Sequence, residues 1–469
     1  MTDAIRFFLS CVNLFFFLYL IGYSSFLFFS VVVGASRLYS DREHELLQNK
    51  LWQSYHVPVS ILVPAYNEEV TVVETVRSLL ALDYKLYEII VMDDGSKDDT
   101  SKVLIDAFHM TRVERPIHRQ LRCQPAEAIY ESCAEKVPIT LVRKKNGGKA
   151  DSLNMGINCA RYPYFICMDA DSVLQYDSLE RIVRPVLAHR NVVAVGGSVR
   201  PANGVVVRDG RVVKYRLPKN PLACMQALEY DRSFLAARIL LDQFNGNLII
   251  SGAFGLFEKR TVVAAGGYDA STMGEDMELV VRLHEFCRAN HRPYQIKYAA
   301  DAVCWSQAPE KLRDLGKQRK RWQRGLFQSM WGHREMLANP RYGVVGTVSY
   351  LYFLLYELLS PYIEVFGVMT ILLSVAVDML NVRYMMLYFV LYAFYGALLS
   401  LTAFFSRIHT IDLQLSAGDL CKAVLLCLFE TTFLRFYLAV VRATAFVGYK
   451  KNKLNWDKLA RRKLNQEAS

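Results

Sequence analysis

The sequence has little charge, no cysteine pairs of the kind that hold zinc, and no long heptad run. Only 22% of its residues are charged against 52% hydrophobic, and it carries 26 Phe and 27 Tyr. Chains of that composition bury surface readily, so a disordered protein is excluded. The absence of an extended Ala/Glu/Lys/Leu stretch excludes a coiled coil. Ten cysteines are present, but none forms a CxxC pair and several sit inside apolar runs. Neither a zinc site nor a disulfide framework is expected, and a reducing compartment fits. Internal repeats and low-complexity segments are also lacking.

What the 469 residues do have is apolar sequence heaped at both ends, with charge gathered between about Leu38 and Arg341. That is the pattern of a polar domain flanked by membrane segments. The formal charge of +11 has three common sources: nucleic acid, cytoplasmic membrane flanks or a polyanionic substrate. With membrane flanks present, no nucleic-acid partner is expected.

Phe7 to Val33 contains no charged residue and as a helix measures about 40 Å, more than the roughly 30 Å of a bilayer's hydrocarbon. It lacks a strongly basic leading region, so a retained anchor is expected rather than a cleaved signal. Arg37, Arg42 and Lys50 follow it and only Arg6 precedes it, which places the polar domain on the cytoplasmic side of the plasma (inner) membrane. Val344 to Val377 and Tyr384 to Phe405 are also long enough to span, with a kink expected at Pro361. Leu420 to Val447 carries Glu430, Arg435 and Arg442, which are costly at bilayer depth unless paired, and a basic tail follows. This stretch is expected to bend, re-enter or lie along the interface and leave the tail inside. The organisation read from these features is a transmembrane helix over 1–36, a cytoplasmic domain over 37–308, an interfacial helix over 309–341, transmembrane or interfacial helices over 342–448 and a basic tail over 449–469.

Within the domain, short apolar runs alternate with helical stretches, the signature of an α/β fold with a mixed, mostly parallel sheet. Val59 to Val63, Glu88 to Met92, Thr140 to Val142, Tyr164 to Met168, Val192 to Val195 and Phe254 to Phe257 read as strands. Glu69 to Leu80 and Ala150 to Ala160 read as helices, and Asp106 to Lys136 and Arg200 to Asn220 as excursions from the core.

Two strands end alike, one running into Asp93-Asp94-Gly95-Ser96 and the other into Asp169-Ala170-Asp171-Ser172. In a parallel sheet both clusters reach the carboxyl edge, where ligands bind. Carboxylates gathered there repel by about 4 kcal/mol per pair at 4 Å and an effective dielectric of 20, so a cation is expected. Hard oxygen ligands of this kind suit Mg²⁺ or Mn²⁺ shared with a diphosphate; the bland alternative is that each cluster only caps the next helix. Asn146-Gly-Gly-Lys149 before a helix start suits phosphate, held by backbone N–H groups and an ammonium. Gly274-Glu275-Asp276 opens another helix, where a carboxylate serves either as a general base or as a cap. Gln318, Arg321 and Trp322 share one helix face, where they suit a pyrophosphate and a sugar ring better than a core. The neighbouring Arg313, Lys317, Lys320 and Arg324, with Phe327 and Trp331, read as an interfacial face resting on anionic headgroups.

Pro64-Ala-Tyr-Asn-Glu68, Asp93-Asp94-Gly95-Ser96, Asn146-Gly-Gly-Lys149, Asp169-Ala-Asp171, Gly274-Glu-Asp276 and Gln318-x-x-Arg321-Trp322 occur in the order seen in family 2 glycosyltransferases. More closely, the chain resembles the membrane-embedded processive synthases of cellulose, chitin, hyaluronan and poly-N-acetylglucosamine, from Val57 to Asn339 plus the flanking helices. The resemblance implies a GT-A fold, a UDP-sugar donor and inversion at the anomeric carbon. It assigns Tyr66, Glu68, Asp93 or Asp94, Lys149 and Asp169 to the nucleotide-sugar, Asp169 and Asp171 to Mg²⁺ or Mn²⁺, and Asp276 to the catalytic base. Gln318, Arg321 and Trp322 match the acceptor and pyrophosphate clamp, with Glu275 beside them. The partners it implies are the donor, a growing polysaccharide, the bilayer, and accessory secretion proteins or further copies of the chain. The chain departs from the family pattern in carrying Gly274 where Thr is usual, and it has no Phe-x-Val-Thr gating loop after Trp322.

Other readings explain less. Asp169-Ala-Asp171-Ser172-Val173 nearly fits the nucleophile loop of haloacid dehalogenase phosphatases, but that loop opens its domain, whereas here βα sequence precedes it from Val59 onward. A transporter would leave the polar domain idle. The nearer rival is non-processive transfer of one sugar to a lipid phosphate, which has no need of an aromatic platform for a polymer end.

Overall fold

The computed structural model describes residues 2–52, 56–132, 135–208, 211–233, 237–378, 380, 382–411 and 416–449. Its strands are β1 (Val59–Ala65), β2 (Tyr87–Asp93), β3 (Thr111–Val113), β4 (Ala126–Ser132), β5 (Ile139–Lys144), β6 (Tyr164–Cys167), β7 (Val173–Leu174), β8 (Val192–Pro201), β9 (Val205–Arg208), β10 (Arg211–Tyr215), β11 (Gly255–Glu258) and β12 (Gln295–Ser306). Ten of them form one sheet in the order β3-β4-β5-β2-β1-β6-β11-β8-β12-β7, and β9 pairs with β10 apart from it.

The centre of this sheet follows from its sequence. β1 and β2 are apolar runs buried on both faces, as a strand covered by helices on either side must be. Because side chains alternate, Ile61 and Val63 face the helices Val72–Leu80 and Ser178–Ala188, while Leu62 packs with the helices Lys149–Cys159 and Glu275–Ala289. The β5-β2-β1-β6 block is parallel throughout, so the ends of β1, β2 and β6 converge on one edge.

The sheet is mixed, but the expectation that it is mostly parallel holds only for this block and for β8 with β12. Pairing is antiparallel at β3/β4, β4/β5, β6/β11, β8/β11 and β7/β12. The stretch Asp106 to Lys136 is not an excursion either, since β3 and β4 extend the sheet beyond β5.

The first helix runs unbroken from Thr2 to Trp52. Arg6–Leu38 within it, Met385–Phe405 and Ala417–Phe446 are long and apolar enough to cross a membrane. A fourth candidate is the pair Val345–Leu358 and Ser360–Ala376, bent by 50° beside Pro361, whose ring cannot continue the preceding helix. The kink expected at Pro361 is thus present, whereas Ala417–Phe446 shows no sharp bend and forms one helical segment with a π turn at Glu430–Leu434. Three of its charged residues have partners: Glu430 pairs with Arg232 at 2.9 Å, Arg435 with Glu364 at 2.8 Å, and Arg442 lies 3.9 Å from Glu357 while its Nε donates to the amide oxygen of Gln323 at 2.8 Å. The basic tail from Lys450 onward lies outside the described residues.

The helix Leu312–Gly332 packs one face against the rest of the protein. It buries Leu315, Gly316, Arg319, Gln323, Gly325, Ser329 and Met330. Arg324, expected on headgroups, donates to the Ala445 carbonyl at 2.7 Å, and Phe327 lies between Trp331 and Phe446.

Candidate active site

The first two motifs knot together at the converging strand ends. Beyond β1, Asn67 takes a left-handed conformation, φ 56°. Its N–H donates to Ser96 Oγ at 3.0 Å, and its Oδ1 accepts the Lys97 N–H at 2.8 Å. The next residue, Glu68, is buried, and its carboxylate accepts from Thr71 Oγ1 at 2.8 Å. Tyr66, just before, leaves 42% of its surface exposed.

Asp93 and Asp94 are both buried, and the protein itself supplies their partners. Asp93 accepts the Ser96 N–H at 2.8 Å and the Ser101 hydroxyl. Asp94 pairs with Lys144 and accepts the N–H groups of Gly147 at 3.0 Å and Gly148 at 2.7 Å. This corrects the expectation that the Asn146-Gly-Gly turn aims those N–H groups at a phosphate, because Asp94 uses them to fix the turn. Gly95, at φ 70°, has to be glycine; a Cβ there would sit 3.0 Å from the Asn146 nitrogen.

The fixed turn presents Lys149 at the start of its helix. Lys149 Nζ lies 2.5 Å from Asp169 Oδ1, 3.5 Å from Glu275 Oε1 and 3.3 Å from the Gly252 carbonyl. The Gly252 N–H in turn donates to Asp276 Oδ2 at 3.0 Å, and Asp276 Oδ1 accepts the Met277 N–H at 2.8 Å. Residues distant in sequence thus share one cluster. Burial on its own lowers the Lys149 pKa, but Asp169, Glu275 and Asp276 outweigh it and the net shift is upward, so the ammonium stays charged. Burial pushes the Glu275 carboxyl up, against the pull of Lys149, and the neighbouring Asp276 adds to the rise.

The third component meets this cluster through glycine. Gly274, at the head of the Glu275–Ala289 helix, touches Gly325 in the helix that carries Gln318, Arg321 and Trp322; a Cβ added to Gly325 would fall 2.8 Å from the Gly274 Cα. The Arg321 charge reaches Glu275 and opposes the rise in its pKa. Gln318 Oε1 is buried without a hydrogen bond among the described residues. Trp322 is 42% exposed, with the Arg319 guanidinium 4.6 Å from its ring centre.

Asp169 and Asp171 are both half-buried. Among the described residues no group of three or more His, Cys, Asp or Glu is placed to hold a metal. Sequence reasoning missed Lys144, Gly252 and Arg319. The signal for Gly252 was the small-residue run Ser251-Gly-Ala just before a strand.

The description Glycosyl transferase family 2 matches residues 60–122, and Glycosyltransferase like family 2 matches residues 121–325. The chain is 30% identical over 349 residues to a poly-beta-1,6-N-acetyl-D-glucosamine synthase of Staphylococcus aureus, covering 73% of this chain and 71% of the relative. It is 28% identical over 384 residues to the protein of that name from Staphylococcus epidermidis, covering 80% of each. Among solved structures, the mannosyltransferase PcManGT of Pyrobaculum calidifontis, in complex with GDP-Man and Mn²⁺, aligns with a TM-score of 0.51 at 17% identity, over 82% of this chain and 99% of that one.

Proposed function

Since the chain belongs to glycosyltransferase family 2, we propose that it is an inverting synthase that polymerises a β-linked polysaccharide from a UDP-sugar and passes the product through its own helices. The fold is GT-A-like. The name of its relatives makes an N-acetylglucosamine polymer the first product to test. In this reading the enzyme is a multi-pass protein of the plasma membrane with its catalytic domain, residues 37–308, in the cytoplasm.

The observation that carries the reading is the cluster of Lys149, Asp169, Glu275 and Asp276, joined at Gly274 and Gly325 to the helix that presents Trp322. Donor and acceptor machinery meet there, beside the apolar helices. Tyr66 and Lys149 contact the UDP-sugar, while Glu68, Asp93 and Asp94 hold the loops that place them. Asp169 and Asp171 suit Mg²⁺ or Mn²⁺, because such ions take one or two protein carboxylates and complete their shell with phosphate and water. When bound, the ion offsets charge on the diphosphate.

The acceptor hydroxyl oxygen attacks the anomeric carbon from the face opposite UDP. The new glycosidic bond forms as the carbon–oxygen bond to UDP breaks, and that electron pair leaves on the diphosphate. The hydroxyl proton passes to the Asp276 carboxylate, which the Gly252 and Met277 N–H groups hold in place. Lys149, kept charged by its carboxylate neighbours, faces the departing diphosphate. Gln318 and Arg321 grip the pyrophosphate, and Trp322 stacks the terminal sugar.

The test is product length from purified protein in liposomes supplied in turn with different UDP-sugars. A long polymer inside the vesicles is expected from one donor. A single sugar on an extractable lipid would overturn the processive reading in favour of transfer to a lipid phosphate.

A further inference from the structure

The helix Pro221–Arg232 plays no part in the chemistry above, yet it joins two charged contacts. Glu229 accepts a pair of hydrogen bonds from Arg319, at 2.8 Å from Nη1 and 2.6 Å from Nη2. One turn further, Arg232 grips Glu430 with both terminal nitrogens at 2.9 Å and donates to Ser400 Oγ at 2.7 Å. Earlier on the same helix, Cys224 and Leu228 pack with Ala397, Phe404, Ala423 and Cys427 of the apolar helices. One side of the helix is thus bound to those helices, and Glu229 reaches the helix that presents Trp322.

Arg319 precedes Trp322 by three residues, so the two are neighbours on the helix surface. Arg319 is only 8% exposed, whereas Trp322 is 42% exposed. A guanidinium held by a two-pronged carboxylate contact has its plane fixed, and it is stacked against the indole at 4.6 Å. An exposed tryptophan without such a floor is free to change rotamer; with one face seated on a fixed cation, its other face is offered in a constant position.

We propose that Glu229 and Arg319 are positioning residues that set the indole of Trp322 for the sugar acceptor, and that Pro221–Arg232 is a strut tying this platform to the membrane helix Ala417–Phe446 through Arg232 and Glu430. The proposal rests on the processive reading for its substrate, but not for its geometry.

The test uses the full chain in liposomes with Glu229→Gln, which keeps the cation and removes the two-pronged charged contact. Product length falls several-fold, acceptor KM rises, and donor affinity and slow hydrolysis of UDP-sugar stay as in the wild type. Arg319→Lys, which keeps the charge without the fork, falls between the two. A second readout needs no product: the emission owed to Trp322, obtained by subtracting the Trp322→Phe spectrum, becomes more quenchable by acrylamide in Glu229→Gln and in Glu430→Gln. If the wild type makes no polymer, the processive reading fails and the fluorescence alone decides the positioning role. Unchanged quenching in Glu229→Gln overturns that role, as does a fall in donor affinity alongside the shorter product. Unchanged quenching in Glu430→Gln overturns the strut.

Discussion

Gly274 and Gly325 meet backbone to backbone, so that a Cβ on Gly274 would lie 2.9 Å from the Gly325 Cα. The family this chain resembles usually has threonine before Glu-Asp. Here the neighbouring helix occupies the space that side chain needs. The departure is a packing solution, and it sets the distance between the proposed base and the helix that carries Trp322.

Gly274→Thr should therefore push the two helices apart at a cost of about 1–3 kcal/mol, typical of overpacking. Turnover should drop while UDP affinity changes little, because Lys149 and Asp169 stand on other elements. Calorimetric binding of UDP alongside initial rates checks this, and wild-type turnover in the variant would remove the contact from the mechanism.

Asp276→Asn keeps the shape of the side chain and loses its basicity. General-base catalysis is typically worth about 10² to 10⁴ in rate, and a loss of that size with UDP binding retained is expected. Loss of UDP affinity instead would make Asp276 a structural cap and pass the base role to Glu275, the next carboxylate in the cluster.

Chelation bears on Asp169 and Asp171. Excess EDTA should abolish transfer, and added Mg²⁺ or Mn²⁺ should restore it; Asp171→Asn should raise the ion concentration needed. Full activity in EDTA would discard the ion from this site.

Much of the sheet was legible because β1, β2, β5 and β6 are short apolar runs cut off by Pro, Gly or Asp. β4 and β12 were not. β4, Ala-Glu-Ala-Ile-Tyr-Glu-Ser, is a partly exposed strand next to the short edge strand β3, and β12 places Asp301 and Lys297 among its apolar residues, so neither stands out by hydrophobicity. The site was legible where one motif carries its own chemistry, as at Lys149 and Asp276. It was illegible where a partner comes from afar. Nothing near Lys144 in sequence marks it as the cation of Asp94, and only the pairing of β2 with β5 brings the two together.

His333, just past the end of the helix Leu312–Gly332, links it to the helix Glu275–Ala289 through Glu285 and, at 3.3 Å, Glu278. Burial lowers its pKa, but the two carboxylates outweigh that and hold it above the usual value. A raised folded pKa contributes stability that is complete below the unfolded value, about 6.5, and is lost as pH rises through the folded one. His333→Gln should therefore melt below the wild type in acid, with the gap closing as pH rises past the raised value. A gap that stays constant with pH would show that the contact does not titrate.

The last prediction concerns sidedness. Lys450, Lys451, Lys453, Lys458, Arg461, Arg462 and Lys463 should stay with the catalytic domain, since each cation moved against the membrane potential costs about 2.3 kcal/mol per 100 mV. Returning the tail to its starting side takes an even number of crossings after the domain. Met385–Phe405 and Ala417–Phe446 supply two, so the pair Val345–Leu358 and Ser360–Ala376 must turn back at its 50° bend rather than cross. Asp378, at the end of that pair, then belongs on the cytoplasmic side together with Ser469. In a background without the exposed Cys11 and Cys421, Asp378→Cys and Ser469→Cys should both resist a membrane-impermeant thiol reagent on intact cells and react once the membrane is opened. Labelling of Asp378→Cys from outside would make the bent pair a true span and force the tail across after it, a result that Ser469→Cys would report independently.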